Sequence, residues 1–270
     1  MHESVRQQQS SRKERNRSHW LSVFLKDLET GLRQSGWVEQ VSLNEIAAGR
    51  EICQELWPFI RELPANIVSV KNKLPAELEA AGKFLNQLAD EELHYQGLYL
   101  KQCELAGLAV DDLKQSLEIP HAAERLILAM RRYCQDGTVL EGIQAVVAAE
   151  LAATYFARLV LEAFEVYFAR HKEKYGEENI EVGLTWLRLH AKTNMRHALW
   201  MKRMLDGVEG DADNSTKVAD SEGNAESDGQ AEEQSKKLPP AVEEVLNAVF
   251  ELWRTPQQII RKLDIVVNNK

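Results

Sequence analysis

The sequence has little of what a sandwich, a barrel or a secreted scaffold needs. Fourteen glycines and seven prolines are spread over 270 residues, leaving long unpunctuated stretches that suit helices and few turn signals for short strands. Three cysteines (Cys53, Cys103 and Cys134) are an odd number without metal-site spacing; they read as reduced thiols in a cytoplasm. Basic residues are outnumbered, 33 against 42, for a formal charge of −9. Nucleic acid is therefore disfavoured as the main partner. No run of 18 consecutive apolar residues is expected, so no membrane span is predicted. The N-terminal "VRQQQSSRKERNRSHW" lacks an apolar core and does not read as a secretory signal.

What is present is a helical period. Apolar residues recur at three and four, which predicts helices over 18–34, 43–62, 64–73, 76–106, 121–135, 138–171 and 178–206. Pro64 and Pro75 are expected to mark turns, Gly107 to cap a helix, and Gly137 and Gly176 to break the chain. No repeat at solenoid periods occurs. Four regions follow: a disordered basic leader (1–17), a helical domain (18–207), an acidic linker (208–238) and an amphipathic tail (239–270). Between Glu209 and Lys237 nine acids face three bases, with no aromatic residue, a composition that cannot offset its ordering entropy. In the tail, Pro239 and Pro240 suit a helix start and Pro256 a kink. The tail's apolar face is expected to dock on its own core, with a protein partner as the alternative.

Polar residues interrupt three apolar faces. In "WLRLHAKTNMRHALWM", His190, Asn194 and His197 share a helix side. In "FLNQLADEELHYQGLYL", Gln87, Glu91 and His94 stand at i, i+4 and i+7; Glu91 and His94 have the Glu-x-x-His spacing of carboxylate-bridged metal sites. Asp90 and Glu92 are expected to be solvated. In "GIQAVVAAELAATYFARLVL", Glu150 has no charged neighbour from Gly142 to Ala157. A carboxylate in such a run must be paired, protonated or bound to a cation. Two imidazoles and one carboxylate form the ligand set of non-haem Fe(II) oxygenases. Tyr155, about a turn beyond Glu150, is a candidate pocket hydroxyl.

The order of these residues resembles the haem-oxygenase-like helical superfamily. The nearest likeness is to its iron-dependent oxidases and oxygenases, relatives of thiaminase II and of pyrroloquinoline-quinone synthase. The likeness runs over about 18–206. It is carried by "CQELWPFIRELPANIVSVKNKLPAELEAAGKFLNQLADEELHYQGLYLKQCELAGL", "AAELAATYFARL" and "HAKTNMRHALW". It implies an all-α, up-and-down bundle with a buried pocket, extended here by the acidic linker and the extra C-terminal helix. It further implies an O2-using enzyme of a small organic substrate. In the iron-dependent branch, three histidines and three carboxylates hold two irons. The matching positions are Gln87, His94, Glu150, His190, Asn194 and His197.

Two of those positions are neutral amides here, Gln87 and Asn194. Two Fe(II) ions would then keep a large buried positive charge. One Fe(II) on Glu150, His190 and His197 is the expectation, with His94 as a fourth ligand or a hydrogen-bond donor and Glu91 as a reserve acid. Asn194 is the expected donor to substrate or to a bound oxygen species. No cysteine stands near Glu150 to act as a thiaminase-like nucleophile. A metal-free enzyme using the histidines as acids and bases is one alternative, and a non-catalytic binding protein another. A homodimer stays open.

Overall fold

The computed structural model describes residues 19–34, 46–192, 204–205 and 238–253. The leader, most of the acidic linker, and the segment holding Asn194 and His197 lie outside them. The described residues form helices without a strand. In chain order these are α1 (His19–Gln34), α2 (Ile46–Asn72), α3 (Glu79–Leu105), α4 (Val110–Gln115), α5 (His121–Arg131), α6 (Val139–Arg170), α7 (Lys172–Tyr175), α8 (Glu177–Gly183), α9 (Thr185–Lys192) and α10 (Pro240–Leu252).

The fold is organised around α6. A capping box starts it: Thr138 Oγ1 accepts from the Glu141 amide, while Glu141 Oε2 accepts from the Thr138 amide at 2.8 Å. The run that follows is apolar on nearly every side, so the helix can be satisfied only by burial. It packs against α1, α2, α5, α9 and α10. By length and composition this helix could cross a bilayer, contrary to the expectation of no such segment. Its most apolar window is 78% buried inside the bundle, as a core helix requires.

Helices α2 and α3 form a tightly packed pair joined by a 3₁₀ turn at Ala76–Leu78 after the expected break at Pro75. The expected break at Pro64 does not occur. Helix α2 runs unbroken through Pro58 and Pro64. Proline at 64 removes the amide that would serve the Ile60 carbonyl, and its ring crowds that turn. Gln96 of α3 substitutes: its Nε2 donates to the carbonyls of both Ile60 and Arg61 at 3.1 Å. A side chain from the neighbouring helix thus supplies what the proline took away.

Gly107 ends α3 as expected. Its φ of 86° is left-handed, and the Leu108 amide donates to the Cys103 carbonyl at 2.9 Å. Helix α5 continues into a π-helical turn, Arg132–Asp136, before the break at Gly137. The stretch expected as one helix from 178 is stepped: α8 and α9 are separated at Leu184. Helix α10 packs on α5, α6 and α1, burying Val242, Val245, Leu246, Val249 and Leu252. The tail's apolar face is used by its own core. Cys53, Cys103 and Cys134 are free and buried.

Candidate functional site

Three buried ionisable residues belong to the site. Glu150 on α6 is 5% exposed, Glu92 on α3 is 4% and His190 on α9 is 7%. Each arrives by the logic of its helix. Glu150 lies within the buried run of α6, where no rotation takes it to water. His190 follows Trp186 by four residues on the short α9, whose Trp186 and Leu187 are buried beside it. Glu92 belongs to the stripe Leu85, Leu88, Ala89, Glu92 and Tyr99, all buried.

That stripe corrects the expectation for α3. Gln87 and His94 are exposed and Glu91 is half-buried. At about 100° per residue, Gln87 and His94 fall on the side opposite the stripe. Gln87 Nε2 donates to Glu91 Oε1 at 2.7 Å, an exposed pair along the helix. Glu92, expected in solvent, takes the inward place. Tyr155 is half-buried, and the Arg158 guanidinium lies 5.8 Å from its ring centre; it stands off the Glu150 side of α6. Asn194 and His197 are outside the described residues.

The geometry around His190 fixes its chemistry. Its Nδ1 is 2.9 Å from the Trp186 carbonyl oxygen. A carbonyl can only accept, so Nδ1 carries the hydrogen. When the ring is neutral, Nε2 presents a lone pair, and it faces Glu92 Oε1 at 3.8 Å. Two electron-rich atoms facing each other under burial repel unless a proton or a cation lies between them. The ring is held in place by aromatics. Trp186 stacks on it with centroids 4.0 Å apart, and Tyr95 meets it edge-on at 5.4 Å. Beyond Trp186 lie Tyr99 at 5.0 Å and then Trp57, 6.4 Å from Tyr99.

Burial raises the Glu150 carboxyl well above the usual carboxylate range, and the charges of Glu92 and then Glu91 push it in the same direction. Burial and both neighbouring charges thus favour the protonated form of Glu150. One helix away, Glu55 of α2 is pushed up to about 7, first by burial and then by Glu51 one turn before it. Sequence reading did not find this acid, although two glutamates at i and i+4 on a largely buried helix are a visible signal.

The donor chemistry fits one divalent ion such as iron. Metal–ligand bonds of about 2.0–2.2 Å allow two donors on one ion to stand up to ~4.4 Å apart, which accommodates the spacing of Glu92 and His190. The Trp186 carbonyl orients the imidazole as ligand histidines are usually oriented. Among the described residues, no group of three His, Cys, Asp or Glu side chains stands close enough to hold a metal ion.

No protein-family model matches the chain, and no curated protein matches it by sequence. Solved structures do match. A TenA homolog from Pseudomonas syringae pv. tomato superposes with a TM-score of 0.65 at 15% identity, covering 90% of this chain and 93% of that one. The fold is haem-oxygenase-like. A domain of unknown function with that fold, from Shewanella denitrificans, gives a TM-score of 0.57 at 16% identity, over 97% of this chain and 95% of the other. At these identities the likeness is one of fold, so the reading of this haem-oxygenase-like chain's chemistry rests on its own residues.

Proposed function

We propose that this chain is an iron-dependent, O2-using oxidase or oxygenase of a small organic molecule. Glu92 and His190 would be two of its donors, with Glu150 recruited to them when the metal binds, since the three do not stand as a ligand cluster among the described residues. The observation that carries this reading is the facing pair of Glu92 and His190, whose lone pairs call for a positive charge between them. Glu150 supports it. A carboxyl that resists ionisation while alone becomes a ligand when a cation offsets the burial cost. Two ionised carboxylates also balance one Fe(II) ion, whereas two ions would leave a buried surplus of positive charge. Bound iron would supply the O2 chemistry.

The chain's own residues orient and protect that site. The Trp186 carbonyl fixes the His190 tautomer, and the Trp186 and Tyr95 rings keep water from the imidazole. Asn194 and His197 complete the set in this reading, as polar donor and second imidazole. A reducing cytoplasm suits the three free thiols, and a net charge of −9 argues against nucleic acid as partner.

The test is anaerobic reconstitution with Fe(II), elemental analysis, and then exposure to O2. About one iron per chain is expected in the wild type, with consumption of O2. Iron should be lost in Glu92→Gln and His190→Ala and kept in His94→Ala. Iron absent from the wild type, or indifferent to Glu92 and His190, would sink the proposal. A second reading has its own support: a buried Glu150 whose burial favours the protonated form is a candidate general acid. It requires turnover that chelators leave untouched.

A further inference from the structure

Trp186, which stacks on His190, also lines a second compartment of opposite character. Leu56 and Phe59 of α2, Ala149 and Ala153 of α6, and Leu252 and Trp253 at the end of α10 are among the residues that line it, together with Trp186 itself. The lining is almost wholly apolar. Swept by the centre of a water molecule, the cavity measures about 20 Å³. On that measure one water needs roughly 10–15 Å³ and also two to four polar partners. The cavity has the room for a small guest and lacks the partners for water. It is too small for an aromatic ring.

We propose that this cavity holds dioxygen beside the polar cluster. The guest's identity rests on the O2-using reading above; its size and polarity rest on the cavity alone. The position supports the assignment. Ala149 and Ala153 bracket Glu150 in the sequence of α6, and the Trp186 that lines the cavity also stacks on His190. A guest here touches the same indole that holds His190. The cavity exists because α6 carries alanines at 149, 152 and 153, where its other turns carry Phe156, Val160 and Phe164. Helix α10 and the residue after it supply Val249, Leu252 and Trp253 to its partly open wall.

The test uses the full chain without metal, so the iron reading and the cavity can fail separately. Crystals pressurised with xenon should show an atom between Ala149, Ala153 and Leu252. In solution, dissolved O2 should speed the methyl relaxation of Ala149 and Ala153 several-fold more than that of the buried Ala145 and Ala163. Ala153→Leu should abolish both signals; Ala149→Val serves if that variant does not melt cooperatively. In iron-loaded enzyme, the filled variant should raise the KM for O2 several-fold with kcat retained. No xenon and no differential relaxation would overturn the proposal. Xenon binding without an O2 effect would reassign the cavity to an alkyl group and overturn the dioxygen assignment.

Discussion

Trp186 borders two compartments that obey opposite rules. His190 stacks on it and faces the buried Glu92, and each polar atom there depends on a partner. The cavity that Trp186 also lines is bordered by alanines, Leu252 and Trp253 and offers almost no polar surface. Burial costs the first side and favours the second. The lesson is that one rigid aromatic side chain lets a bundle keep a polar pair and an apolar cavity against the same indole.

The strongest way to break the comparison is to remove a wall. Deleting the chain from residue 239 takes away α10 and exposes the apolar faces of α1, α5 and α6. Loss of cooperative melting is expected, followed by circular dichroism; a deletion variant melting like the parent would show that α10 only rests on the core. Next, Trp186→Ala should cost about 3–5 kcal/mol, the usual range for a truncated buried aromatic. Trp186→Phe should recover much of that in a urea titration, because it restores most of the partition.

A smaller effect sharpens the polar side. Gln96→Ala leaves the Ile60 and Arg61 carbonyls without their Gln96 donor beside Pro64, at an expected cost of about 1–3 kcal/mol. Gln96→Glu should not rescue it, since a carboxylate cannot donate.

The smallest effect concerns Glu55. Its folded pKa, about 7, lies above its ordinary value. Below the ordinary carboxylate range both folded and unfolded states hold the proton, and nothing changes. As pH rises from there towards 7, the folded chain holds more protons than the unfolded one, so this group's contribution to stability falls with pH. A carboxyl NMR titration should place its midpoint near neutrality. Glu51→Gln should move the midpoint down but not to the ordinary value, because burial is the larger cause.

Much of this was legible in the sequence. Glu150 stood out because no charge accompanied it through a long apolar run, and burial followed. His190 was read on the inward face of its helix, and there it lies. The reading of α3 went astray for a physical reason. It weighed a three-residue spacing between Glu91 and His94 above the apolar stripe, and the stripe decides rotation because burial energies exceed those of isolated polar groups. Leu85, Leu88 and Tyr99 already pointed to Glu92. Pro64 misled in another way: its missing donor is replaced by Gln96, a contact between helices that local spacing does not reveal. The cavity was invisible to sequence because it depends on α10, a helix about ninety residues further along the chain, packing beside three alanines of α6.

The central claim is that Glu150 holds a proton until a cation replaces it. Infrared difference spectra of the metal-free protein, with and without anaerobic Fe(II), test this directly. The account predicts the carbonyl stretch of a protonated, buried carboxyl that is absent in Glu150→Gln and disappears when one equivalent of iron is added. A metal-free protein without that band, or a band that iron leaves unchanged, would contradict it.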